Sequence, residues 1–463
     1  MKQLEFDVAV IGGGPAGTVA AIASARRGAK TILVEQNGYL GGALTACGTG
    51  PQMTYHAGDV QVVRGIPQEM EEEMIRRGLR AIVDWKEYGY TVCCIPDAVD
   101  FCSSTTAFDP EGMKIVWEDM AREAGVTLMY HTVFTGCTVE NGVIRTARLY
   151  TKGGFYELSA KVFVDASADA DVATSAGVTS VYGREEDNLA QPMTMNFHVY
   201  GVDREKVCDF VLNNLDDMAR YTPRNLRELR HYDISGAFSR IQAAKDAGEF
   251  HIDRDTVLCF ETNTDGEYVV NMTRIAKHSA VDPFDLTEAE IEGRKQVQET
   301  LRFLKKYIPG FENCHLAFSG PNIGIRESRK VDGVYKLTAE DLTDNVMFPD
   351  AIAMGGYPID VHSPDGGNTV HKFLKPGSWY SVPYRSLVTP GVENLIVAGR
   401  CLSATHVACS AVRVTPVLMG IAQAAGTAAA QSAHTDMPAN NLDTNALREQ
   451  LKADGVFLEE YKP

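Results

Sequence analysis

The first apolar run, residues 6–11 (FDVAVI), shows almost no polar alternation, the pattern of a strand buried on both faces of a parallel sheet. Residues 18–27 are small and helical in period, with Ala20, Ala21, Ala23 and Ala25 permitting close packing, and Gly28 ends the helix. Thr31–Val34 forms a second buried strand. Further on, Asn141-Gly142 and Gly153-Gly154 read as turns within a β-rich stretch that reaches Asp165. Residues 193–200 read as a strand, and 288–307 as an amphipathic helix stopped by Pro309-Gly310. Residues 392–399 form another strand ending in glycine, after which Thr415-Pro416 opens a helix with proline in its first turn. Residues 445–453 read as a last, peripheral helix. No internal repeat of roughly 20 to 50 residues and no low-complexity tract is visible.

Composition narrows the classes. The chain has 463 residues, 44% hydrophobic and 23% charged, as in ordinary globular proteins. Its net charge of −17 repels nucleic acid and anionic membranes, so neither is an expected partner. The apolar run 417–430 is too short to span a bilayer and reads as a buried helix. The amino terminus runs straight into a glycine loop rather than a cleavage site, so a cytoplasmic location is expected. The ten cysteines include no C-x-x-C pair, which excludes zinc-ribbon, ferredoxin-type and thioredoxin-like spacing. They are expected to be reduced and buried, and electron transfer here would need an organic carrier.

The strongest motif joins the first two strands. Gly12, Gly14 and Gly17 match G-x-G-x-x-G, with Pro15 and Ala16 between them. Gly12 permits a tight turn, Gly14 lets backbone approach a pyrophosphate, and Gly17 lets helix and strand touch. The helix amino terminus then offers free N–H groups to the phosphates. Glu35, ending the second strand, can accept hydrogen bonds from a ribose diol. Strand, loop, helix, strand and acid fall in register, as a dinucleotide site requires, and this motif alone suits FAD or NAD equally.

Beyond Glu35, the segment Gly38-Tyr39-Leu40-Gly41-Gly42-Ala43-Leu44-Thr45 resembles the E-x(5)-G-G-x-x-T signature of the bacterial FAD-dependent oxidoreductases. That family is related in flavin fold to fumarate reductases and heterodisulfide reductase flavoproteins. Segments 63–67, 164–171, 324–330 and 394–406 resemble the same family, so the likeness spans nearly the whole chain. The resemblance implies an α/β protein: a Rossmann-like FAD-binding domain of glutathione reductase type with an inserted α+β substrate domain. The FAD domain would comprise residues 1–185 and 385–435, the substrate or cap domain 186–384, and a tail 436–463. It further implies that Gln36, Gly41, Gly42, Ala43, Leu44, Thr45 and Val133 join the cofactor site. Ala166, Ser167 and Asp169 would lie beside the FAD, although Asp165 and Asp169 also suit capping of the next helix. Gly399 and Arg400 would sit at the phosphate–ribityl end, with Val417 and Leu418 on the helix facing the flavin pyrimidine edge.

Chemistry should fall on segments that return to the cofactor. His406, within the last family segment, is the expected acid–base group, with a satisfied core histidine as its alternative. Arg326 and Arg413 suit fixing a carboxylate or donating a proton, with ion pairing of Arg326 to Glu327 as the alternative. Tyr384 and Arg385 fall at the domain junction. His362 and His371 flank the loop HSPDGGNTVH, which lacks the acidic cluster of a metal site and reads as a polar loop. Four uses of a flavin fit these residues: hydride transfer with a small polar substrate, sugar-like or carboxylate-bearing; reduction of an activated C=C bond; electron transfer to or from a partner; and a non-catalytic scaffold. A small-molecule substrate, a separate electron donor or acceptor and a homo-oligomer are the expected partners, with no metal.

Overall fold

A computed structural model describes residues 2–79, 105–219, 226–228, 233–366 and 369–462. In chain order it forms β1 (Lys2–Ile11), α1 (Pro15–Arg26), β2 (Thr31–Val34), β3 (Thr127–Met129), β4 (Val133–Glu140), β5 (Val143–Thr151) and β6 (Gly154–Asp165). There follow β7 (Phe197–Tyr200), β8 (Asp233–Gly236), β9 (Val257–Glu261), β10 (Tyr268–Val270), α2 (Pro283–Tyr307) and β11 (His315–Ser319). The remaining elements used below are β12 (Ile359–His362), β13 (Thr369–Lys372), β14 (Leu395–Val397), α3 (His406–Val412) and α4 (Thr415–Thr435).

The first sheet has the parallel order β3-β2-β1-β6-β14. All four residues of β2 are buried, which explains the missing alternation in its sequence. The other edge of β6 is shared. Its first half pairs antiparallel with β5, and its last three residues pair with β14. The β4–β5 turn falls at Asn141-Gly142, both at positive φ, as a tight hairpin requires. Helices α1 and α4 cross closely enough that a Cβ on Gly426 would lie 2.0 Å from the Ala20 carbonyl oxygen. The small residues of both helices are therefore a packing requirement. Helix α4 is apolar because it is buried, and no single helix among the described residues is long and apolar enough to cross a membrane.

A second, antiparallel sheet has the order β8-β9-β10-β7-β11. It encloses its own core with α2, including Met195, Phe197, Phe303 and Phe311, and this core runs from Met193 to Ile323. Residues 337–388, grouped in the sequence with the inserted domain, contribute Leu337, Ile352, Tyr380 and Leu387 to the first core instead. Ala353 contacts Gly420 of α4, a long-range pairing that local periodicity does not encode.

Candidate functional site

The glycine loop divides its labour. Gly12 stands at φ +105°, and a Cβ there would lie 2.3 Å from the Ala166 carbonyl oxygen. A Cβ on Gly17 would overlap the Gly12 carbonyl oxygen at 1.7 Å, so Gly17 serves helix–strand contact and does not line a cavity. Gly14 differs: its φ is ordinary, and the nearest atom to an added Cβ is 3.9 Å away on Gly42. Protein packing thus explains Gly12 and Gly17, whereas the space beside Gly14 belongs to a cavity. No side chain caps α1 at Gly14, and its first-turn N–H groups face that space as an anion site requires. Glu35 is fixed by the Gly13 N–H at 2.6 Å and by Asn37 through its backbone N–H (2.7 Å) and side-chain amide (2.8 Å).

The cavity measures about 1380 Å³. Ordinary small-molecule sites occupy roughly 300–1,000 Å³, so a dinucleotide and a second reactant both have room. Of the cofactor residues expected from the sequence, Gly12, Gly14, Pro15, Ala16, Glu35, Gln36, Gly42, Ala43, Leu44, Val133, Ala166, Ser167, Asp169, Gly399, Arg400 and Leu418 line it. Gly41, Thr45 and Val417 lie behind the wall. The Gly41 N–H donates to the Gly13 carbonyl at 2.9 Å, and the Thr45 hydroxyl donates to the Leu40 carbonyl at 2.7 Å. Val417 is fully buried in the first core.

Asp165 and Asp169 take different parts. Asp165 accepts from the Ser167 hydroxyl at 2.6 Å and the Ala173 N–H at 2.9 Å, which ties down the turn and the short helix after β6. Asp169 accepts from Arg400 at 2.6 Å and from the Ser328 hydroxyl at 2.5 Å, joining segments far apart in sequence at the cavity wall.

At the far end, beyond Leu44, Ala46 and Cys47, the lining becomes strongly polar, with Arg274, Arg326, Arg413, Asp360, His362 and His371. Arg326 donates through Nη1 to the Pro192 carbonyl and the Thr194 hydroxyl, not to Glu327. Burial, and next the charge of Arg413, holds Arg326 well below the usual guanidinium range. Asp360 on β12 lies 3.1 Å from His371 Nε2 on β13 and 3.5 Å from His362 Nε2, and it accepts from the Tyr357 hydroxyl at 3.2 Å. Burial would raise its carboxyl, but His362, His371 and Arg413 keep it well below the ordinary value. Burial and the charge of Arg326 push His362 down to about 3, so it is neutral at physiological pH. The histidines that flank a glycine-rich loop in the sequence are thus brought together by a hairpin around one aspartate. Gly367 and Asn368 of that loop lie outside the described residues.

His406 has another place. It opens α3, buried, with Nδ1 2.7 Å from Glu327 Oε2, and it is absent from the cavity wall. Glu327 also pairs with Lys330 and accepts from the Gln191 N–H at 3.1 Å. The proton-handling part expected of His406 therefore has no direct path to the cavity. Its neighbour Gln191 does reach the wall, accepting from Arg413 at 3.4 Å. Arg385 and Tyr384 turn away too, to Asp350 and the Ala439 carbonyl. Cys47, Cys137, Cys208, Cys259, Cys314, Cys401 and Cys409 are free thiols, while Cys93, Cys94 and Cys102 lie outside the described residues. Among the described residues, no cluster of three or more His, Cys, Asp or Glu is arranged to hold a metal ion.

A parallel sheet with a glycine loop, an acid at the end of β2 and a polar chamber beyond them define a dinucleotide-dependent enzyme. The family described as FAD dependent oxidoreductase matches residues 7–451, and the chain belongs to it. It is an FAD-binding flavoenzyme with a Rossmann-like fold. A digeranylgeranylglycerophospholipid reductase of Methanosarcina acetivorans is 26% identical over 221 residues, 46% of this chain and 49% of that protein. Its counterpart from Methanoculleus marisnigri is 28% identical over 188 residues, 38% of this chain and 42% of that one. The chain spans less than half the length of these two relatives. Among solved structures, a geranylgeranyl bacteriochlorophyll reductase-like protein from Thermoplasma acidophilum has a TM-score of 0.45 at 12% identity, covering 99% of this chain and 94% of that one. L-proline dehydrogenase from P. horikoshii has a TM-score of 0.46 at 12% identity, covering 98% of this chain and 99% of that one.

The residues fit FAD. The open space beside Gly14, the uncapped helix and the positioned Glu35 suit its ADP half. Gly42 to Leu44, Ala166, Ser167, Gly399, Arg400 and Leu418 continue the wall toward the polar chamber.

Proposed function

We propose that this flavoenzyme transfers a hydride between a small polar substrate and flavin N5. In this reading the fold is of glutathione reductase type, the second core serves as an inserted substrate domain, and the enzyme works in the cytoplasm. When bound, FAD supplies two-electron redox chemistry. Arg326 and Arg413 orient the substrate, and the closed chamber limits water.

The observation that carries the reading is the Asp360–His371 pair on the same cavity as the dinucleotide loop. With Nε2–H donated to Asp360, His371 keeps Nδ1 free to take a proton from a substrate hydroxyl or amine, or to return one. His406 acts at a distance, holding Glu327 and thereby Gln191 and Arg413 in place.

Anaerobic mixing with alcohols, sugars and amines tests this. A substrate should bleach the yellow protein, and His371→Asn should keep its flavin while slowing bleaching by about 100-fold or more. Equal rates in the variant would remove His371 from the chemistry. Oxidation of pre-reduced enzyme by enoates alone would move the reading to C=C reduction.

A further inference from the structure

The chamber wall holds more positive charge than its own acids neutralise. Arg274 comes from the second core, between β10 and α2, whereas Arg413 separates α3 from α4 in the first. Arg326 lies on the segment linking the two cores. All three line the cavity. Their charges act on one another, since Arg413 and Arg274 both contribute to the depressed guanidinium of Arg326.

Each has spare donors. Arg274 is 9% exposed, donates through Nη2 to the Ser363 carbonyl at 2.8 Å, and keeps a buried Nε with no partner. Arg413 bonds only the neutral Gln191 through Nη2, and its Nε is likewise buried without a partner. Arg326 bonds only neutral oxygens through Nη1. Among the described residues none of the three forms a salt bridge. The acids nearby are otherwise placed. Asp360 is held by His362, His371 and Tyr357, and Asp253 and Asp255 act on Arg274 without offsetting its burial. Half-buried guanidinium groups without counter-charge are costly, and planar forks of this kind suit an oxyanion.

We infer that Arg274, Arg326 and Arg413 form an oxyanion subsite that selects a substrate bearing a carboxylate or phosphate group and spans the two cores. The inference rests on the proposed oxidoreductase reading and names its substrate class. The anion, held by residues from both sides, would also draw the second core onto the first. His371, on the same wall, would then face a carbon beside the anchored group rather than the anchored group itself.

The test titrates oxidised holoenzyme with acetate, succinate, succinamide and inorganic phosphate, read by the flavin difference spectrum and by melting temperature. An anion should perturb the flavin and raise the melting temperature, the neutral diamide should do neither, and added NaCl should weaken the effect. Tighter binding of succinate or acetate assigns a carboxylate substrate, and tighter binding of phosphate a phosphorylated one. Arg274→Met should retain FAD and weaken anion binding by about tenfold or more, with Arg274→Lys recovering part of it. Anion binding to apoprotein that disappears once FAD is bound would give the arginines to the cofactor and overturn the subsite. So would a holoenzyme that neutral alcohols reduce but no anion perturbs, and that outcome leaves the oxidoreductase reading standing. A holoenzyme that binds anions but is reduced by no substrate class would instead strike the parent reading.

Discussion

Glu327 is buried beside Lys330 and His406, and the identity of its neighbours fixes the sign of its pH dependence. Burial raises its carboxyl, but the His406 hydrogen bond and the Lys330 charge outweigh this and leave it below the ordinary value. A depressed carboxyl favours the fold when ionised. Its contribution is complete above the ordinary carboxylate range and is lost as pH falls through the lowered value. Glu327→Gln strands the buried Lys330 charge and should cost about 3–5 kcal/mol near neutral pH. Urea denaturation from about pH 7 to about pH 3 should show the wild type losing stability more steeply than the variant. Parallel curves would mean that the cluster titrates as it does in the unfolded chain.

At the scale of elements, the loop between β1 and α1 separates folding from binding. Gly17 has no room for a methyl group, whereas Gly14 has room that the protein leaves open. Gly17→Ala should therefore yield insoluble or unfolded protein, because the Gly12 carbonyl would have to move. Gly14→Val should keep the apoprotein's circular dichroism and melting temperature while weakening FAD by about tenfold or more, since its side chain enters the ligand space. A Gly14→Val protein that binds FAD normally would displace the cofactor from this loop. The motif spacing made all three glycines legible in the sequence, and Gly12 and Gly17 do the packing jobs that spacing implied. His406 was legible as a histidine near the cofactor segment but not as one facing Glu327. The side-chain direction at the start of a seven-residue helix follows from its packing, not from any period in the chain.

For the whole molecule, the cavity draws on both cores, so FAD binding should couple to global stability. Apoprotein should melt lower than holoprotein, and free FAD at a hundred times its Kd should add about 2.7 kcal/mol. Calorimetry across a series of FAD concentrations checks this, and a melting temperature indifferent to FAD would contradict the coupling. The second core also shows where domain reading from sequence reaches its end. Residues 337–388 carry strands like those of the second sheet, yet they pack on α4 and its neighbours.

The sequence by itself determined the parallel β1–α1–β2 unit, its phosphate-facing glycine and its terminal acid, because turns, caps and strand burial are local and leave periodic traces. Only the tertiary structure decided which polar residues share the chamber. Asp360, His362 and His371 meet through a hairpin, while Arg274, Arg326 and Arg413 arrive from different cores. Which of them stay unneutralised depends on whether an acid lies within reach in space, and that distance is set by packing between segments with no local relation to one another.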